Sequence, residues 1–182
     1  DLHALVRRQR QMCTRDSYKS KSEISKINLN FKQSQFVSND LFEILKIAKS
    51  VEDISDGYYN IMLGKISSSL GFAPDFGKKS LQKKLSTYEL DEKNNSLIRY
   101  SENWFDLSSI AKGYAVQKTH EYLTLSNLNN HLIDIGGELI ISGSKNGKPW
   151  NVGIQNPLSN IDSSTITTVS YTHLTLPTNQ CV

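Results

Sequence analysis

From Ser38 onward the apolar positions fall at helical spacing. Leu41, Phe42, Ile44, Leu45, Ala48 and Val51 recur every three or four residues, which lines one face of an α-helix. Ser38 stands where a side-chain oxygen can cap the first turn, and Asp40 and Glu43 sit where acidic groups favour the helix dipole. This stripe predicts core and carries no chemistry. Weaker helical periodicity marks 20–28, through Ile24 and Ile27, and 61–70, which stops at Gly71. Residues 30–37 read as a connector and Asp56-Gly-Tyr-Tyr-Asn60 as a turn.

Beyond a lysine-bearing loop at 74–84 the pattern shortens. Residues 88–90 and 97–100 flank a turn at Asn94 and Asn95 and predict a hairpin, and 104–107 predicts a further strand. A helix over 109–124 would carry Ile110, Ala111, Tyr114, Ala115 and Tyr122 on one broad face. Two strands, 131–135 and 138–142, meet at Gly136-Gly137, and 150–154 reads as the last strand. Helices and hairpins alternate irregularly rather than as repeated βαβ units. The expected fold class is therefore α+β, a single domain with a mixed or antiparallel sheet flanked by helices.

Length and charge narrow this picture. At 182 residues, 37% hydrophobic and 21% charged, the chain can bury one proper core but not two comfortable ones. No apolar run is long enough to span a membrane. The formal charge of +3 invites a nucleic-acid partner, yet Arg7, Arg8, Arg10 and Arg15 crowd the first fifteen residues and only Arg99 follows. Over 18–169 the excess is +1, which supplies no basic face. Cys13 and Cys181 lie in the terminal segments and say nothing about redox compartment. Both ends resemble translated sequencing-adapter sequence. The expected organisation is a non-native 1–17, a native 18–169 that is incomplete at both ends, and a non-native 170–182.

Candidate chemistry concentrates in Asp106-Leu-Ser-Ser-Ile-Ala-Lys-Gly-Tyr-Ala115. A helix start carries unpaired N–H groups and partial positive charge, Ser108 or Ser109 can cap it, and Lys112 lies one turn further in. Together they can seat a phosphate, with Asp106 placed to meet a bridging divalent cation or a ribose hydroxyl. The plainer reading is an ordinary cap, a solvated lysine and a carboxylate that favours the dipole. Tyr58 and Tyr59 can be a packing cluster or a platform for a flat ring. His120 and His131 read as isolated, with no Cys or second His at ligand spacing, so zinc is not expected. Phosphate-binding lysine loops, dinucleotide-type glycine motifs and a serine-hydrolase elbow have no counterpart.

Taken in order, Ser17-Tyr-Lys-Ser-Lys-Ser-Glu-Ile-Ser-Lys-Ile-Asn28, Val37-Ser38, Asp56 to Asn60, Leu70-Gly-Phe72, Asp106 to Tyr114, Ile135-Gly-Gly137 and Pro149 to Pro157 resemble the ApbE-like FAD:protein FMN transferases. The resemblance covers nearly all of 17–169 and implies an ApbE-like, T-fold-like domain. It implies flavin-nucleotide contacts at Tyr18, Tyr58, Tyr59, Asn60, Asp106 and Lys112, and a magnesium (Mg2+) ligand at Ser109 through its backbone carbonyl. Asn60 stands where the family usually has Asp. The family's Met-Gly-Thr strand, its His-x-x-Asp-Pro segment and its later metal-binding Asp and Thr have no counterpart.

The implied reaction is Mg-dependent transfer of FMN from FAD to a threonine or serine hydroxyl of an acceptor flavoprotein, releasing AMP. Alternatives are an FAD-binding or FAD-hydrolysing protein without protein transfer, or a non-enzymatic fragment, and the literal chain is expected to be inactive. The family resemblance implies the bacterial periplasm or the outer face of the cytoplasmic membrane, any export signal lying ahead of Tyr18.

Overall fold

The computed structural model describes residues 21–72, 87–155, 165–171 and 173–176. They form α1 (Glu23–Leu29), β1 (Ser34–Phe36), α2 (Asn39–Ile54), α3 (Gly64–Ser69), β2 (Tyr88–Asp91), β3 (Ser96–Arg99), α4 (Ala111–Leu125), β4 (His131–Ile135), β5 (Glu138–Ser142), β6 (Trp150–Gln155), β7 (Thr165–Tyr171) and β8 (His173–Leu176). The strands build three antiparallel sheets, ordered β1-β3-β2, β4-β5-β8 and β6-β7. Helices beside small antiparallel sheets match the expected α+β class. The chain divides into two compact units, Asp1–Ala111 and Lys112–Val182.

In the first unit α2 follows the sequence closely. Ser38 Oγ accepts from the Leu41 N–H at 3.3 Å, and Leu41, Phe42, Ile44, Leu45 and Ala48 are buried. Glu23 reinforces that start, its carboxylate accepting from both the Ser38 N–H and the Ser38 hydroxyl. Val51, expected on the same face, is exposed, and Glu52 is buried instead. The reason is polar: Glu52 pairs with Lys49 at 3.3 Å and accepts from the Asn60 amide at 3.2 Å.

The hairpin β2–β3 forms as expected. Asp91 accepts from the N–H groups of Lys93 and Asn94, and Asn95 takes the left-handed conformation (φ 49°) that Asn tolerates. The supposed connector 30–37 contains β1, which pairs with β3 from Ser34↔Ile98 to Phe36↔Ser96. Its three residues are exposed, half-buried and exposed, too short to show alternation.

The expected strand at 104–107 is a correction. Among the described residues these join no sheet, yet their backbone groups are held one by one. Arg99 Nη2 donates to the Asn103 carbonyl at 2.6 Å and the Gly64 N–H to the Trp104 carbonyl at 2.8 Å. The Asn28 side chain donates to the Phe105 carbonyl at 2.9 Å and accepts from the Phe105 N–H at 2.8 Å. The Asp106 N–H then donates to the Ile61 carbonyl at 2.7 Å. Trp104, Phe105 and Leu107 are buried, and the Phe105 ring meets Tyr88 edge-on at 5.4 Å.

In the second unit Val116 of α4 packs with Ile133 and Ile140 of β4 and β5, with Leu123 and Ile135 against them. Tyr114 and Ala115 are buried as expected, whereas Tyr122 is only half-buried. Pairing of β8 with β5 runs from Leu139↔Leu176 to Ser142↔His173, so this strand lies in the stretch expected to be adapter-like. Among the described residues no helix is long and apolar enough to cross a membrane.

Of the described glycines in the first unit, Gly64 is the most closely crowded. A Cβ there would stand 2.8 Å from the Trp104 carbonyl oxygen and 2.9 Å from the Trp104 Cβ. Gly64→Ala is expected to cost about 1–3 kcal/mol, because backbone on one side has to retreat. Urea denaturation checks this, and an unchanged midpoint would show that 63–64 yields freely.

Candidate functional site

The clamped segment delivers Asp106 to the start of α4. Its Oδ1 accepts from both the Ser108 N–H, at 3.0 Å, and the Ser108 hydroxyl. The capping expectation is thereby corrected: Ser108 is turned back as a donor, and the Leu107 carbonyl accepts the first turn's N–H groups, from Ile110 and Ala111. The helix proper begins at Ala111.

Ser109, the residue expected to offer a metal ligand, meets Tyr59 hydroxyl to hydroxyl at 3.0 Å. Tyr59 is half-buried, and burial raises its pKa above the ordinary tyrosine value. The Ser109 hydrogen bond works against that rise and the Asp106 charge adds to it. Tyr59, Ser109 and Asp106 are thus electrically one cluster, although Tyr59 comes from the turn after α2. Tyr58 beside it is 96% exposed, so of the two readings for this pair the packing cluster fails for Tyr58.

Asn60 faces inward. Its Nδ2 donates to Glu52 and its Oδ1 accepts from the Met62 N–H at 2.8 Å. In the second unit, Lys112 Nζ donates to the Gly136 carbonyl at 3.3 Å. Gly136 (φ 59°) and Gly137 (φ 93°) form a turn that only glycine adopts easily twice in succession, and Asp134 Oδ1 accepts from the Gly137 N–H. A side chain at Gly136 would stand against the Lys112 side chain, 3.6 Å from its Nζ. Tyr18 lies outside the described residues.

One pairing was missed. His120 Nδ1 and His131 Nε2 lie 2.8 Å apart, and His131 Nδ1 contacts the Leu128 carbonyl at 2.6 Å, so the two imidazoles expected to be isolated are hydrogen-bonded to each other. They come from α4 and β4, and no sequence spacing announces such a contact. Among the described residues no three His, Cys, Asp or Glu side chains converge to hold a metal ion. Ser109 and an Asp106 carboxylate already accepting from Ser108 do not make a stand-alone magnesium cage, which demands near-octahedral oxygens.

Comparison with known proteins decides the family. The model of the ApbE family matches residues 3–178. The chain belongs to the ApbE family. Among its relatives, the FAD:protein FMN transferase of Haemophilus influenzae is 29% identical over 161 residues, covering 78% of this chain and 46% of that protein. The protein of the same name from Vibrio cholerae is 27% identical over 153 residues, with the same coverage. The chain thus spans about half the length of the curated relatives it matches. Among solved structures, the ApbE protein of Thermotoga maritima superposes with a TM-score of 0.78 at 20% identity, covering 96% of this chain and 60% of that one. The flavin transferase ApbE of Vibrio cholerae gives 0.72 at 22% identity, with 86% and 55% covered. These likenesses establish an ApbE fold.

Two measurements test the cluster. Asp106→Asn is expected to bring Tyr59 ionisation to lower pH, because a negative charge that disfavours phenolate is gone, while Ser109→Ala moves it to higher pH. Carbon NMR of the Tyr59 ring, assigned with Tyr59→Phe, reads both directions, and shifts of the same sign would refute the arrangement. Separately, Asn60→Asp sets a carboxylate against Glu52 and should cost about 1–3 kcal/mol. Adding Glu52→Gln should restore much of that loss in a denaturation cycle. Additive losses would mean the two side chains do not interact.

Proposed function

We propose that this family member, as a whole protein, transfers FMN from FAD to a threonine or serine hydroxyl of an acceptor flavoprotein and releases AMP. The observation that carries this reading is the cluster joining two separate sequence blocks, Asp56 to Asn60 and Asp106 to Tyr114, through the Tyr59–Ser109 hydrogen bond. Curated relatives bear the name FAD:protein FMN transferase, which supports the same reading.

In chemical terms the acceptor hydroxyl attacks the phosphorus on the FMN side of the pyrophosphate. The bond to the bridging oxygen breaks, AMP carries that oxygen away, and the hydroxyl proton is lost. Such a displacement asks the protein mainly for positioning and charge neutralisation. Lys112 supplies positive charge near the start of α4, whose first N–H groups add to it. Asp106, held from both sides, offers a fixed acceptor for a donor on the nucleotide. Tyr58 offers an exposed ring for flavin or adenine to stack on. Asn60 serves here by fixing the turn that carries both tyrosines.

If magnesium is bound, Ser109 would contribute to holding it through its backbone carbonyl, the ligand that the family resemblance implies, and the ion would supply charge neutralisation at the pyrophosphate. The periplasm or the outer face of the cytoplasmic membrane is the proposed location, on the strength of the family resemblance.

With magnesium present, Asp106→Ala is expected to weaken FAD binding about 10–100-fold and Lys112→Ala about 10-fold, the range for losing a charged hydrogen bond. Flavin fluorescence titration reads both, and unchanged affinity in the two variants would sink the site. The product separates activities: AMP with a flavin-labelled acceptor marks transfer, whereas AMP with free FMN marks hydrolysis.

A further inference from the structure

We infer that Asn28 is a positioning residue for Asp106, acting through the backbone of Phe105; this rests on the proposed role of Asp106 in binding FAD. Asn28 lies near the end of α1, 7% exposed, and its amide makes both hydrogen bonds that a neighbouring strand would give to one residue. It donates to the Phe105 carbonyl and accepts from the Phe105 N–H, so one side chain replaces the missing strand. The next residue is Asp106.

The polarity of the contact specifies the residue. Only a side chain with a donor and an acceptor at one branch point can satisfy both groups. Asp at this position keeps the acceptor but turns an oxygen toward the Phe105 carbonyl, and Leu keeps the shape but leaves both backbone groups unpaired in a buried place. Arg99 supports the same clamp from beside it, donating to the Ile27 carbonyl at 2.7 Å and to the Asn103 carbonyl. The segment is therefore tied to α1 at 27, 28, 103 and 105.

Beyond that point the hold passes to Asp106 itself, whose N–H reaches the Ile61 carbonyl and whose carboxylate takes Ser108. Release at Phe105 lets the Asp106 backbone move, and a shift of that kind near a reacting phosphate typically costs a large factor. Asn28 touches no proposed ligand position, so it positions and does not catalyse.

The test uses the full chain with FAD and magnesium. Asn28→Leu is expected to weaken FAD binding about 10–100-fold in the wild-type background. In the Asp106→Ala background it is expected to weaken binding hardly at all, because the group it positions is gone. Equal losses in both backgrounds would overturn the proposal, since general destabilisation acts whether or not Asp106 is present. A second readout needs no ligand: hydrogen exchange at the Asp106 amide should quicken at least about tenfold in the variant while amides of α2 keep their protection. Unchanged exchange at Asp106 would equally overturn it.

Should Asn28→Leu not fold, Asn28→Asp, which keeps the volume and one hydrogen bond, carries the same two measurements. Should the wild-type chain not bind FAD, or Asp106→Ala leave binding unchanged, the reading of the site falls. The exchange experiment still decides whether Asn28 holds Asp106.

Discussion

Everything at the start of α4 depends on how an extended segment outside any sheet keeps its backbone polar groups paired. Trp104 and Phe105 are buried and Asn103 and Asp106 half-buried between α1 and the turn before α3, where an unpaired N–H or carbonyl is costly. The chain meets that cost piecemeal, with a guanidinium, a carboxamide, a glycine N–H and a loop carbonyl. Arg99 shows how demanding the solution is. It is fully buried, and desolvation draws its pKa down to about 10, partly countered by Glu102. Two carbonyls and the ring faces of Phe31 and Phe105, 5.3 and 5.4 Å away, stand in for water, yet among the described residues its Nε finds no hydrogen-bond partner.

That construction explains why Asp106 can be polar, half-buried and fixed at once. A strand would hold its own backbone but leave the carboxylate to solvent and rotamer preference. Here the backbone is gripped on the N-terminal side and the carboxylate on the C-terminal side, by Ser108. Tyr59 then senses it electrostatically, its phenol kept protonated by burial and by the nearby charge. Burial and the Asp106 charge raise the pKa of this one hydroxyl while the Ser109 hydrogen bond lowers it, so three residues from two sequence blocks act on a single group.

Legibility in the sequence followed how local the cause was. The cap and stripe of α2 and the Asn-rich hairpin are set by neighbours within a few residues, and they were readable. The 104–107 run looks like strand because Trp104, Phe105 and Leu107 are aromatic or branched, the residue types of a central strand. Its true partners are an amide 77 residues upstream and a loop, neither visible as periodicity. Glu52 was missed because a charge at a core position contradicts the stripe unless Asn60, eight residues on, is known to face it. Likewise His120 and His131 meet only because α4 packs on β4.

Asn60 shows how a departure from a family pattern can be a local solution. The resemblance puts an acid there, but with Glu52 buried alongside, a second carboxylate would face like charge at hydrogen-bond distance, and an amide turns repulsion into a bond. The same logic extends to the order of motif blocks. In the first unit Ser17 to Asn28 reaches Phe105, the residue just before Asp106, through Asn28, and Asp56 to Asn60 reaches Ser109 through Tyr59; in the second unit Ile135 to Gly137 reaches Lys112. Within each unit, residues far apart in the sequence thus meet because a donor on one side finds an acceptor on the other.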